Sequence, residues 1–431
     1  MRTVKRIQLI FCLIASLFCA TQSVGQTTND NYIKSKKALI GISGDIINIT
    51  NPDQVVDNTH YFDGLGRPLQ TVSSQGSPNK KDIIQPIVYD QFGRESIKYL
   101  PYTSTESNGW IKINPITDQS SFYAGSNKVA IDAAPFASTI FELSPLNRPD
   151  KEYGAGLAWA PPTIIGGGNK YIQHAYPINV HGTAAGQEKI ISWMINGSNL
   201  PIRATPILTG YTVTGGYYAS NQISIKSTKD EEGNEVREYA DKQGRIILKK
   251  VQVVPTATPI SLSNRVHWAQ TYYVYDDFGS LRFVLPPEVS YKIHQNDVYN
   301  PSGTDLNNWA FQYTYDGRKR MITKQVPGAS AVYLIYDTRD RLVLTQDAVQ
   351  RSAKKWTFTK YDALNRPVLT GNYIDAVNLT QAQMQTAVDT YYTNLTASKA
   401  WYEAYTGSGV HGYNNYSFPK VATPDDYLTV T

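Results

Sequence analysis

Runs of β-branched and aromatic residues recur along this chain, each bounded by a cluster of turn formers. Thr271-Tyr272-Tyr273-Val274-Tyr275, Phe311-Gln312-Tyr313-Thr314-Tyr315 and Val332-Tyr333-Leu334-Ile335-Tyr336 precede such clusters. Arg245-Ile246-Ile247-Leu248-Lys249-Lys250-Val251 and Arg341-Leu342-Val343-Leu344-Thr345 follow them. This composition is that of half-buried strands. The pattern predicts a mainly β fold of hairpins stacked side by side in a long curved sheet. Pro68 and Pro367 open two of the strands, at positions where a ladder donor is dispensable. The period changes after Asn378-Leu379-Thr380, where Gln, Ala and Met dominate Gln381 to Tyr391. One short helix near the C-terminus is expected there, capped by Thr380 or Asn378.

The turn clusters share a phrase: an aromatic, Asp, two free positions, Gly or a substitute, then Arg. It reads Asp63-Gly64-Leu65-Gly66-Arg67 after Tyr61-Phe62, and Asp90-Gln91-Phe92-Gly93-Arg94 after Tyr89. It returns as Asp241-Lys242-Gln243-Gly244-Arg245 and, with Ser280 for the Arg, as Asp276-Asp277-Phe278-Gly279. Looser copies are Asp316 to Arg320, Asp337-Thr338-Arg339-Asp340-Arg341 and Asp362-Ala363-Leu364-Asn365-Arg366. Asp can bond backbone two residues on, and the fourth position favours a residue at ease with positive φ, so each copy predicts a hairpin tip. Asp340 and Asn365 suit that position without being glycine. Lys319 does not, and the Asp316 tip is expected to shift so as to use Gly317. A degenerate copy ends at Pro145-Leu146-Asn147-Arg148, with Ser144 for the Asp, and Asp230-Glu231-Glu232-Gly233 is a further candidate tip. A motif written many times is architecture, and this points away from an enzyme.

Arg2, Lys5 and Arg6 precede the apolar run Ile7 to Ala20, so residues 1–25 predict a secretory signal cleaved before Gln26. Both cysteines, Cys12 and Cys19, lie inside it, and the secreted or cell-surface chain would form no disulfide. Without the signal the charge is 38 basic against 36 acidic residues, and no basic cluster suggests nucleic acid. No second apolar stretch could span a bilayer. The 31 tyrosines against 12 phenylalanines suit strands that are wet on one side. Beyond the signal, the expected division is an N-terminal β domain at 32–162, an intervening β region at 166–228, hairpin repeats at 229–372, and the short helix with the next β segment at 373–431. The chain ends in what reads as a strand, so the front of a longer protein is expected.

The phrase resembles the YD repeat of the RHS (rearrangement hot spot) proteins. The block 32–162 resembles the N-terminal, DUF6443-like domain of Bacteroidetes RHS repeat-associated proteins. Thr59-His60-Tyr61-Phe62-Asp63-Gly64-Leu65-Gly66-Arg67-Pro68 carries that likeness most strongly, followed by Ile87 to Arg94 with Tyr99-Leu100-Pro101-Tyr102. The resemblance covers most of residues 32–372. It implies a secreted β scaffold, part of a hollow RHS-type shell, which in polymorphic toxins encloses a variable C-terminal toxin. The family's Asp-Pro-x-Gly processing stretch does not occur here. The resemblance therefore implies the N-terminal part of a shell, with the remainder of the shell and any toxin cargo as partners.

The candidate chemistry is sparse. The tip aspartates could act as catalytic carboxylates or calcium ligands, but turn capping accounts for all copies at once. The tip arginines are expected to lie along the sheet and pair with acids of the neighbouring hairpin. Six histidines lack ligand spacing, and Gly166-Gly167-Gly168 lacks the Lys-Ser/Thr of a phosphate loop and reads as a linker. No catalytic, cofactor-binding or metal residue is assigned. The alternative is a surface adhesin or glycan-binding protein, with Trp193, Tyr217 and Tyr218 as its aromatic platform.

Overall fold

The computed structural model describes residues 22–25, 31–41, 44–125, 129–204, 212–254, 262, 265–295, 300–395, 401–420 and 427–429. Most of the expected signal lies outside them. The chain divides into two compact units, Met1–Ala175 with Thr228–Gly233, and Tyr176–Ser227 with Asn234–Thr431.

In the first unit six strands pair in the order Gln22–Gly25, Asn31–Ala38, Val55–Phe62, Pro68–Ser74, Ile83–Pro86 and Tyr102–Thr103. A second run pairs Ile97–Tyr99, Phe136–Phe141, Pro149–Tyr153 and Tyr171–Ala175. Tyr61, Val72, Ile84 and Tyr102 form a small core, which Tyr123 of the helix Pro115–Ala124 completes.

In the second unit, ten strands from Glu235–Ala240 to Pro367–Ile374 form an antiparallel meander in which each pairs with the next in sequence, and Tyr427–Thr429 pairs with the last of them, the strand Tyr405–Val410 being passed over. Antiparallel alternation places all its hairpin tips on one margin of the sheet and all its connections on the other. Trp268–Tyr275 alternates buried and half-buried residues without a break, the period-two pattern of a strand with one face in a core. One core joins Ile190, Ile191, Trp193, Tyr217, Tyr218 and Ile223 to Leu248, Tyr272, Val274 and Phe283. A second joins Ile335, Leu344, Trp356, Phe358 and Leu369 to Met384, Val388 and Tyr392.

Those last three residues stand on one face of the helix Gln381–Thr393, four apart. Thr380 caps it in a capping box with Gln383, whereas Asn378 sits at φ +62° outside the helix. Four more helices were not expected: Pro115–Ala124, Pro287–Gln295, Gly303–Trp309 and Ala348–Ser352. The last three lie in connections between hairpins. Each begins with a recognisable signal, Pro287 as the first helical residue, Ser302 with Asp305, and Asp347 with Gln350.

Gly166-Gly167-Gly168 is not a linker. A Cβ on Gly168 would lie 2.0 Å from the Ala158 carbonyl oxygen, and one on Gly167 would lie 2.4 Å from that of Pro161. The run is glycine because backbone packs on backbone there.

Candidate functional site

The hairpin tips share one construction. In each, the Asp N–H donates to the carbonyl four residues on, and the left-handed residue donates to the Asp carbonyl; in the Asp241 tip both bonds are close to 3 Å. Gly66, Gly93, Gly244 and Gly279 have φ between +76° and +79°, and Asp340 and Asn365 stand at +63° and +61°. The register slips by one residue beside the turn, as between Tyr239 and Ala240, which is the bulge that this turn imposes.

The Asp carboxylate holds the tip from inside. Asp63 Oδ1 accepts from the Leu65 and Arg67 N–H groups, both at 2.9 Å, and Oδ2 accepts from Arg67 Nε at 2.7 Å. The same three bonds recur at Asp90 with Arg94, Asp316 with Arg320, Asp337 with Arg341 and Asp362 with Arg366. They recur at Asp241 with Arg245. The Arg67 backbone N–H and guanidinium hold the Asp63 carboxyl below its ordinary range, against some desolvation. At Asp90, Asp316 and Asp362 desolvation is the largest influence and pushes upward, but the tip's hydrogen bonds outweigh it and the net direction is down.

This corrects the expected role of the arginines, of which, among the described residues, only Arg320 also pairs with an acid of the neighbouring hairpin, Asp340. Each takes the carboxylate of its own turn, four residues back, because that partner is already in place and the local ring closes cheaply. What reaches the next hairpin is the face and far end of the guanidinium. Arg67 lies over the Tyr89 ring at 4.5 Å, Arg94 over Phe141 at 4.4 Å, Arg245 over Tyr275 at 4.9 Å, Arg320 over Tyr336 at 4.9 Å and Arg341 over Tyr361 at 5.0 Å. The tyrosine hydroxyl then donates back to the strand leaving the previous tip. Tyr275 reaches the Ile246 carbonyl, Tyr315 that of Leu281, Tyr336 that of Met321 and Tyr361 that of Leu342, at 2.8–3.1 Å.

The guanidinium also decides what can occupy the next left-handed position. Arg94 Nη1 donates to Asn147 Oδ1 at 3.0 Å, Arg320 to Asp340 at 2.9 Å and Arg341 to Asn365 at 3.3 Å. Where that residue is Gly93 or Gly279, an added Cβ would stand 3.1 or 3.3 Å from the preceding arginine. The position thus takes glycine or a short acceptor.

Lys319 is the counterpart of Ser280. The Asp316 tip does not shift to Gly317; Lys319 itself adopts φ +62°. The tip before it lacks an arginine, so a cation is tolerated, and Lys319 Nζ donates backward to the Phe278 carbonyl at 3.2 Å. Asp276, also without its usual partner, has Arg282 at 3.6 Å.

In the degenerate tip, Asn147 takes φ +53° and the Ser144 hydroxyl accepts from the Leu146 N–H. The carboxylate comes from Glu142, which holds Arg148 Nε and Nη2 at 2.8 and 2.7 Å. Those bonds, with that of Ser144, bring its pKa down to about 2. The Asp230 tip closes as a turn with Gly233 at φ +85°.

The proposed aromatic platform is not at the surface. Trp193, Tyr217 and Tyr218 are all buried in the first core of their unit. Among the described residues no group of three or more His, Cys, Asp or Glu is arranged to hold a metal, and no helix is long and apolar enough to cross a membrane. Pattern analysis missed the buried charges. Glu188 receives Lys250 Nζ at 2.5 Å and the Tyr239 hydroxyl at 2.8 and 3.0 Å, all three nearly inaccessible. Burial and then Glu188 push the Tyr239 hydroxyl far up.

A sequence family described as a domain of unknown function, DUF6443, matches residues 36–176. No curated protein matches the chain. Solved structures that are similar include TcdB2-TccC3-TEV, at 13% identity and a TM-score of 0.47 over 88% of this chain and 16% of that one. TcdB2-TccC3 without its hypervariable C-terminal region gives 13% and 0.48 over 83% and 15%. The Photorhabdus luminescens Tc holotoxin pore gives 12% and 0.45 over 83% and 15%. The chain thus spans about one sixth of the length of the structures it resembles.

Proposed function

We propose that this chain is a non-enzymatic, secreted or surface-exposed scaffold, the N-terminal part of an RHS-type shell from a toxin or intercellular competition protein. The observation that carries this reading is the coupling from each tip to the next. A carboxylate, a guanidinium, a ring and a hydroxyl are spent joining hairpins into a continuous wall, and none of them is left to act on a substrate. The DUF6443 match over 36–176 and the repeat phrase support the same reading.

The remainder of the shell is the partner the wall would take. Arg366 is held by Asp362, but its side chain is 71% exposed, against 8% for Arg341, which Tyr361 of the next hairpin and Trp401 cover. It offers the guanidinium face that a further tip would cover. Leu65 and Phe92 in one unit, and Phe278 and Leu364 in the other, also leave apolar side chains exposed on the tips.

The test is the size of the native product in secreted and surface fractions, detected with an antibody against residues 235–372. A product well above the mass of this chain is expected, or a stable complex with a separately encoded remainder. A dilute, monodisperse, thermostable monomer of the chain's own mass would refute the reading.

A further inference from the structure

Lys360 points from the strand Lys355–Tyr361 into the second core of its unit, where it and Glu403 are each 1% exposed. Its Nζ lies 2.6 Å from Asn415 Oδ1, 3.1 Å from Glu403 Oε1 and 3.1 Å from the Ser417 carbonyl oxygen. Glu403 is fixed in turn by the residues that follow Asn415. Its Oε1 accepts from the Ser417 N–H and hydroxyl at 2.9 and 2.5 Å, and its Oε2 accepts from the Tyr416 N–H at 3.1 Å. Tyr361, Trp401, Tyr413 and Phe418 pack against the same core and help keep water away. A buried amine and a buried carboxyl group thus meet a half-buried carboxamide.

We propose that Lys360 and Asn415 join in an intramolecular isopeptide bond. A C=O bond is about 1.23 Å long, so the 2.6 Å contact to Oδ1 places the Asn415 carboxamide carbon no more than about 3.8 Å from Nζ. That is close to the separation at which held groups react. In the step, the Nζ lone pair attacks Cγ, a bond forms between Nζ and Cγ, and the bond between Cγ and Nδ2 breaks. The proton shed by Nζ passes through the Glu403 carboxyl to Nδ2, which leaves as ammonia. No oxidant or further reactant is needed. Burial favours the neutral amine, the nucleophilic form, although Glu403 acts in the opposite sense.

The bond would tie a sheet strand to a segment 55 residues away, in a chain whose only cysteines are Cys12 and Cys19. It would do the work of the disulfide that the rest of the chain cannot form. Lys112 is an internal control. It meets Asn108 at 2.9 Å and Glu106 at 2.8 Å, but Asn108 and the Glu106 carboxylate are exposed, and the same amine is also held at 3.1 Å by the fully buried Asp82, a second carboxylate that the Lys360 site lacks, so no bond is expected.

The decisive measurement is the intact mass of the purified, folded wild-type chain, taken after denaturation, with tryptic mapping. The expected result is a mass lower by one ammonia and a branched peptide joining the stretch that begins at Trp356 to the stretch that ends at Lys420. Asn415→Ala should have its full sequence mass, and Glu403→Gln should lose little or no ammonia. A wild-type chain at full mass overturns the proposal. So does loss of one water with Lys360 joined to Glu403, which would make the carboxyl group the electrophile. Complete ammonia loss in Glu403→Gln would overturn the role given to Glu403.

Discussion

If an arginine on one tip sets the residue allowed on the next, the pair Ser280 and Lys319 should be exchangeable only together. Ser280→Arg alone gives Asp276 its usual partner and Tyr315 a stacked guanidinium, together worth about 1 kcal/mol. It also sets a second cation against Lys319. At about 5 Å in water that repulsion costs roughly 0.8 kcal/mol, so the single change should be nearly neutral. Lys319→Asn alone loses the bond to the Phe278 carbonyl, about 0.5–1 kcal/mol, and regains a few tenths from a residue easier at φ +62°. In the double variant the repulsion is absent and an Arg-to-Asn bond like that between Arg341 and Asn365 can form. The favourable coupling should be about 1–1.5 kcal/mol. Thermal unfolding of the four proteins in low salt reads this out, because 1 kcal/mol moves the midpoint of a unit this size by roughly 2–4 °C. Effects that add to within about 0.3 kcal/mol would show that the tips are independent, and the argument would fail.

Removal of Asp337 should be far more damaging than removal of Asp63. Asp337 is 1% exposed and holds a buried Arg341, so Asp337→Ala strands a charge at a cost of about 3–5 kcal/mol, whereas Arg67 has solvent to turn to. Tyr336→Phe removes the bond to the Met321 carbonyl and should cost about 1 kcal/mol in denaturant unfolding, without loss of β circular dichroism. Gly244→Ala has open space around the new methyl but φ +78°, and should cost about 1 kcal/mol. Gly168→Ala forces backbone to move and should cost about 3 kcal/mol or more; equal melting temperatures for the two would refute the packing assigned to the glycine run. The depressed pKa values of Asp63, Asp90, Glu142, Asp316 and Asp362 contribute stability that is present above the carboxylates' unfolded values, near pH 4, and is lost as pH falls through their folded ones. The melting temperature should therefore be flat above about pH 5 and fall below pH 4, and a decline that begins at neutral pH would contradict the sign.

The tips were legible in the sequence because their determinants are local. Asp241, Gly244 and Arg245 lie within five residues, and the hydrogen bonds that close the turn run among these residues and Gln243 between them. The first acid partner of the arginines was misassigned because strand pairing suggests cross-hairpin neighbours, while the nearer Asp of the same turn wins; among the described residues only Arg320 also reaches an acid of the next hairpin, Asp340. The buried lysines were invisible for a different reason. Lys250 and Lys360 occupy inward positions of ordinary-looking strands, and nothing around them in sequence announces Glu188 or Glu403, 62 and 43 residues away. The connecting helices did announce themselves through their caps, but runs of five to nine residues leave little periodicity to detect.

The coupling between tips is carried by the sequence without a fixed period. Asp276 and Asp316 are 40 residues apart, whereas Asp316 and Asp337 are 21 apart, because the helices Pro287–Gln295 and Gly303–Trp309 occupy one connection and a short turn the other. Yet the bond from the following tyrosine to the departing strand is nearly the same across both intervals, 3.0 Å from Tyr315 and 2.8 Å from Tyr336. Antiparallel geometry allows this. Inserted residues leave at the connection margin and do not disturb the register that brings the tips together. A wall built this way can vary freely along one margin while the other stays constant. The informative comparison is therefore between one tip and the next: Arg320 with Asp340, Arg341 with Asn365, and Ser280 with Lys319.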